Sequence, residues 1–159
     1  GIRRKKVYGA AHEGAAWQHS TEYHVMWRVA FEPGEVKVVA RKDGKQVGEQ
    51  TIRTAGAPHH IVLKKTYQGT LAFGTSDPTT FVEVQVVDKD GNLCPNADNQ
   101  IFFSSDAKIL GTDNGCQTSL ERFTDPHRKA FFGKCVVVLK GKGTLTAKAV
   151  DLQQAQIQL

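Results

Sequence analysis

The chain has 159 residues, of which 40% are hydrophobic and 23% charged, the composition of an ordinary globular protein rather than a disordered or fibrous one. No run approaches the roughly 20 apolar residues that cross a bilayer, and no charged-then-apolar leader opens the chain, so neither a membrane span nor a signal peptide is expected. The net charge of +5 is gathered partly at Arg3, Arg4, Lys5 and Lys6 and otherwise scattered beside Asp and Glu, which argues against a nucleic-acid partner.

In chain order, nearly every periodic segment reads as strand. Tyr23, Val25, Trp27, Val29 and Phe31 alternate with His24, Met26, Arg28 and Ala30, which predicts one strand with its large apolar groups on one face. Glu32-Pro33-Gly34 ends it with turn chemistry. Val36 to Ala40 and Gln46 to Arg53 follow as strands, joined by Asp43-Gly44, a tight hairpin signal. Thr54-Ala55-Gly56-Ala57-Pro58 has the small, breaker-rich composition of a linker, so the division is placed there: 1–56 and 57–159. Beyond it, His60 to Lys64 reads as a short edge strand and Phe81 to Val87 as a core strand, followed by a second hairpin signal at Asp90-Gly91. Ile101-Phe102-Phe103 and Ile109-Leu110 read as short buried runs. Val136 to Leu139 and Thr144 to Val150 read as a final pair across Gly141-Lys142-Gly143, with Gln156 to Leu159 either a last strand or a connection.

No longer window sustains helical spacing, and short strands broken by turns every 8–12 residues or so predict an all-β protein. The expected fold is a tandem of immunoglobulin-like Greek-key β-sandwich modules. Residues 57–159 match the roughly 100 residues of one complete module. Residues 1–56 supply about three strands, so the first module is expected to be incomplete.

Motifs that carry chemistry are few. Glycoside hydrolysis needs two carboxylates across a cleft, and none of Glu13, Glu22, Glu32, Glu35, Glu49, Glu83 and Glu121 stands in a paired-acid motif, so no catalytic residue is assigned. Asp88-Lys89-Asp90-Gly91-Asn92 has the alternating oxygens of a calcium loop, but position 99 is Asn and the flanks are strands, which favours a turn. His59 and His60 are expected on opposite faces of a strand, unable to chelate one ion together. No metal or other cofactor is therefore expected. Cys94, Cys116 and Cys135 form no CxxC pair; Cys135 opens an apolar run and reads as a buried thiol, with a Cys116–Cys135 disulfide the alternative. The most unusual stretch is Gly111 to Ser119, long and polar, followed by Leu120-Glu121-Arg122-Phe123. Long loops on sandwiches either carry function or dock; the plainer reading is a tight turn at Asn114-Gly115 with Thr118 and Ser119 bonding local backbone.

Two groups of residues resemble a known family. Tyr23-His24-Val25-Met26-Trp27 with Phe31-Glu32-Pro33-Gly34-Glu35-Val36-Lys37-Val38-Val39-Ala40, leading into Arg53-Thr54-Ala55-Gly56-Ala57-Pro58, resembles the sandwich that follows the catalytic barrel in family 2 glycoside hydrolases of the β-galactosidase type. Val84 to Asn92, Pro95 with Ala97-Asp98-Asn99, Gly111 to Gly115, Thr118-Ser119, Ala130-Phe131 and Gly133-Lys134 are similar, in order and spacing, to the terminal immunoglobulin-like domain of the same enzymes. Residues 9–20 and Cys116 depart from the pattern. The resemblance implies catalytic acids upstream in a barrel, none of which maps onto this chain, and a periplasmic or secreted bacterial setting.

The leading expectation is thus a non-catalytic accessory region whose partner is the catalytic domain of the same chain, with homo-oligomer contacts a further possibility. The alternative is a carbohydrate-binding module. Asn114, Thr118, Ser119, Glu121 and Trp17 are the candidate docking or sugar-contact residues. Trp17 lies in an irregular stretch and is the better exposed candidate, whereas Trp27 falls on the apolar face of a strand.

Overall fold

In the computed structural model, residues 18–20, 25–27, 30–70 and 77–159 are described, with side chains from residue 30 onward. The strands in chain order are β1 (Gln18–Ser20), β2 (Val25–Trp27), β3 (Glu35–Lys42), β4 (Lys45–Arg53), β5 (His60–Gly69) and β6 (Thr79–Val87). They continue with β7 (Gln100–Ser105), β8 (Lys108–Asp113), β9 (His127–Lys129), β10 (Lys134–Lys140), β11 (Thr144–Lys148) and β12 (Ala155–Gln158). Among the described residues the protein is all-β. β1–β2 and β3–β4 form two-stranded antiparallel sheets; two four-stranded sheets, ordered β5-β6-β10-β8 and β12-β11-β7-β9, form a sandwich.

The sandwich follows from period-2 alternation. Val82, Val84 and Val86 on β6, Val137 and Leu139 on β10, Ile101 on β7, and Leu145 and Ala147 on β11 are fully buried and meet between the sheets. The intervening Phe81, Glu83, Gln85, Val136 and Val138 lie half-exposed on the outer side. Each buried aliphatic contributes about 1.5–3 kcal/mol of apolar burial, so these residues together oppose the chain entropy of ordering eight short strands.

Turn residues behave largely as their chemistry dictates. Asp43 and Gly44 both take positive φ, 50° and 76°, and close β3 onto β4 with a two-residue loop. After Asp90-Gly91, however, the chain makes only a single bridge from Leu93 back to Val87 before crossing to the other sheet, so this turn opens no hairpin. The expected pair across residues 141–143 is likewise corrected. β10 and β11 lie in different sheets, and Gly143 passes so close to Asp106 that a Cβ there would sit 2.8 Å from the Asp106 Cβ.

Three further expectations change. β5 is ten residues rather than five, but it is an edge strand, with Thr66 bulged out between Lys65 and Tyr67. Ile101-Phe102-Phe103 is not uniformly buried, because alternation turns Phe102 outward, and Ile109-Leu110 is only partly covered. The expected strand through Phe31 is described only at Val25–Trp27, and Phe31 itself is exposed outside it.

The segment read as a linker is hydrogen-bonded at Thr54 and at Gly56. Thr54 N–H donates to the Gly34 carbonyl at 2.8 Å, and the Thr54 hydroxyl accepts from Gly34 N at 3.0 Å. Two residues on, Gly56 N–H donates to Asp88 Oδ2 at 2.8 Å. Asp88 Oδ1 accepts from the backbone N–H groups of Asp90 and Asn92, at 2.9 and 2.8 Å, and Asn92 Nδ2 donates to both carboxylate oxygens. Donation from Gly56 and Asn92 holds the Asp88 carboxyl well below the usual carboxylate range. Its lone pairs are spent on N–H donors, which is why this calcium-like sequence is a turn.

Candidate functional site

The long polar loop runs along the edge of the sandwich where β8 and β9 lie, and it is built around a buried charge. Arg128, the middle residue of β9, is 1% exposed. Its Nη2 donates to the carbonyls of Thr112 and Arg122 at 2.7 and 2.9 Å, Nη1 to the Glu121 carbonyl at 3.2 Å, and Nε to Thr112 Oγ1 at 3.3 Å. The Phe123 ring lies over the guanidinium, 5.4 Å from centroid to Cζ. A planar five-donor fork can satisfy several carbonyls at once, which a lysine ammonium cannot do in this geometry.

Glu121 supplies the opposing charge, its Oε2 lying 3.7 Å from Arg128 Nη1. The carboxylate also accepts from Gln100 Nε2 at 2.9 Å, from the Lys129 backbone N–H at 3.1 and 3.2 Å, and from Ser119 Oγ at 3.3 Å. Partial burial opposes the charged form, but donation from Gln100 and Lys129 and the charge of Arg128 outweigh it, so the Glu121 carboxyl titrates below its ordinary range. Glu121 is an engaged structural anion, poorly suited to donating a proton. His127 lies beside it, its Nδ1 3.0 Å from Gln100 Nε2 and 3.6 Å from Glu121 Oε1.

The N-terminal half of the loop is tied by local side chains. Asp113 Oδ1 accepts from Asn114 and Gly115 N–H groups, and Asn114 Oδ1 accepts from Cys116 N–H at 2.9 Å. Asn114 Nδ2 donates to the Lys129 carbonyl at 2.8 Å. Asn114 and Glu121 therefore both bond β9, and Ser119 reaches it only through Glu121. Thr118 does not join them, since its hydroxyl meets only Cys116 Sγ, at 3.4 Å. Trp17 lies outside the described residues. Against this polar base, Leu120 is 97% exposed and Phe123 65% exposed.

Sequence reasoning missed Arg128, Gln100 and β9 itself. Within His127-Arg128-Lys129 nothing distinguishes a buried arginine from a solvated one, and three residues are too few to show a period. The cysteines resolve simply: all three are free. The Cys116–Cys135 disulfide alternative is therefore not formed, and burial pushes the Cys135 thiol up to about 12. The reasoning about His59 and His60 also needs correction. His59 precedes β5, and the two Nδ1 atoms approach to 3.1 Å with the rings edge-on. Among the described residues no group of three or more metal-ligating side chains forms around them.

The family model for glycoside hydrolase family 2 C-terminal domain 5 matches residues 64–158. The chain belongs to glycoside hydrolase family 2, as part of its C-terminal region. A domain of unknown function, DUF4982, matches residues 3–48. This family 2 chain is 47% identical over 143 residues to the β-galactosidase BoGH2A of Bacteroides ovatus, covering 86% of the chain and 17% of that protein. Among solved structures, a β-glycosidase from Bacteroides vulgatus superposes with a TM-score of 0.77 at 30% identity, covering 92% of this chain and 20% of that one. A family 2 member from Bacteroides cellulosilyticus DSM 14838 gives 0.73 at 27% identity, over 85% and 19%. The chain thus spans about a fifth of the length of these relatives.

Proposed function

We propose that this chain is a non-catalytic accessory region of a β-galactosidase-like enzyme, exported from a bacterial cell, whose role is to support the catalytic barrel or its assembly. The observation that carries this reading is the edge loop, polar and pinned beneath by Arg128 and Glu121 yet presenting Leu120 and Phe123 to the outside. A loop with no contact to make would have no reason to order around a buried ion pair and then expose two large apolar side chains. The partner surface is taken to be the catalytic domain of the same polypeptide, consistent with relatives about five times longer. Homo-oligomer contacts through the same loop are the second way to cover it. We also take residues 57–159 to be one folding module and residues 1–56 to belong to another.

The test compares two contexts. Leu120→Asp should lower the melting temperature or assembly of the full-length enzyme by several degrees while changing the 159-residue chain little, because Leu120 is almost wholly exposed there. Equal effects in both contexts would remove the docking role. The 159-residue chain should also leave p-nitrophenyl β-galactoside intact; turnover abolished by one Glu→Gln change within it would end the non-catalytic reading.

A further inference from the structure

The outer face of the β5-β6-β10-β8 sheet borders the edge loop at the end of β8 and has its own organisation. Across it, Tyr67 pairs with Phe81 and Phe81 with Val138, giving an aromatic and aliphatic row. One row along, Lys64 pairs with Glu83 and Glu83 with Val136; in the next, Val62 pairs with Gln85 and Gln85 with Lys134. Glu83 Oε1 accepts from both Gln85 Nε2 and Lys134 Nζ, the latter at 3.3 Å. Glu83, Lys134, Val136, Thr66, Asp113 and Asn114 line a shallow cleft of about 220 Å³ on this face.

Two backbone features set Tyr67 in place. The Thr66 bulge shifts the register by one residue, and without it Tyr67 would oppose Thr80 and point toward the core. With it, Tyr67 is 47% exposed and meets Phe81 edge-on, ring centroids 5.8 Å apart. The Tyr67 hydroxyl lies over Gly69, where a Cβ would come within 2.5 Å of it. An extra residue and a missing side chain together hold the ring on the outer surface.

We infer that this face binds an uncharged pyranose sugar, with Tyr67 and Phe81 taking its C–H face and Glu83, Gln85 and Lys134 its hydroxyls. A pyranose presents an apolar face and a rim of groups that each donate and accept. The sheet offers the complement on a rigid backbone: one acceptor, one donor and one amide that does both, beside an aromatic edge. Glu83 and Lys134 neutralise one another, and Lys64 and Asp113 add one charge of each sign beside them, so the face carries no net charge to favour an ionic ligand. A protein partner would call for a wide apolar centre, and here a carboxylate occupies the middle of the face. The edge loop reaches this site only through Asp113 and Asn114, so the assignment does not rest on docking by Leu120 and Phe123.

The experiment is affinity electrophoresis of the 159-residue chain through gels containing soluble β-galactan, galactomannan or mixed-linkage β-glucan. Retardation by at least one polysaccharide is expected. Tyr67→Ala and Glu83→Gln should each weaken it about tenfold, the loss of one stacking or charged hydrogen-bond contact, and Leu120→Ala should leave it unchanged. Unchanged melting temperatures establish that the variants fold, with Lys134→Gln as the replacement should either fail to do so. No retardation by any of the three, or retardation that survives these substitutions, would overturn the assignment. Self-association abolished by Tyr67→Ala without any sugar effect would make the face a protein interface instead.

Discussion

Arg128 concentrates the edge loop's stability into one side chain. Replacing it with methionine keeps much of the volume but strips the carbonyls of Thr112, Glu121 and Arg122 of their donor and leaves Glu121 without its cation. Removing one partner of a buried pair costs about 3–5 kcal/mol, so urea unfolding of Arg128→Met should show a loss of that order. Arg128→Lys should recover only a fraction, because a point charge cannot reach acceptors spread in a plane. A change below about 1 kcal/mol, the level of a surface substitution, would show that the charge is not structural. The thiols give a second check at this scale. Thr118 lowers the Cys116 thiol, whereas burial raises Cys94 and Cys135. One equivalent of Ellman's reagent should react quickly with the native chain and two more only on unfolding. Neither behaviour is written in the local sequence: Cys116 stands beside turn residues and Arg128 beside other charges, and their fates are decided by what crosses over them.

At the scale of elements, alternation and turn chemistry made the strands legible, and the partners of those strands much less so. Asp43-Gly44 is read correctly because the residues that make the turn also join the two strands. Gly141-Lys142-Gly143 has the same composition and yet carries the chain from one sheet to the other. A period of two says which side of a strand is apolar and is silent on which sheet it joins. The all-β sandwich and the existence of a long polar loop were accessible; the Thr66 bulge, β9 and the loop's anchor depend on contacts distant in sequence. Gly133 illustrates such a contact. It follows Phe132 in a turn where both take positive φ, and a Cβ on it would collide with the Cys94 carbonyl. Gly133→Ala should therefore destabilise the chain far beyond the roughly 1 kcal/mol of an ordinary glycine replacement, while Gly91→Ala, with open space around it, should stay near that figure. Thermal melts of the two variants side by side settle the comparison.

For the whole molecule, the junction decides where the sandwich begins. Ala55 packs against the core and Gly56 bonds to Asp88, so a fragment starting at Thr54 should melt higher than one starting at Pro58. Equal melting temperatures would place the start of the module after the junction. Acid should expose the same dependence. Asp88 and Glu121 both titrate lower in the folded chain than their unfolded values near 3.9 and 4.3, so below those values the unfolded chain binds more protons. Their stabilisation is complete above about pH 5 and is lost as pH falls through and below 4. Asp88→Asn should lower stability at neutral pH and flatten that acid limb; an unchanged limb would show that Asp88 does not control it.

The bonds of Thr54 to Gly34 and of Gly56 to Asp88 also bear on how the chain carries load. They leave almost no slack between the β3–β4 hairpin and the sandwich, although five small residues could pay out roughly 17 Å if free. Pulled from its two ends, the chain should transmit tension straight across residues 54–58, and the first extension should appear only when a bonded unit gives way. In an optical trap, Asp88→Ala should add a short, low-force lengthening ahead of that event. The junction would then act as a strut in the intact chain and as a tether once its carboxylate is gone.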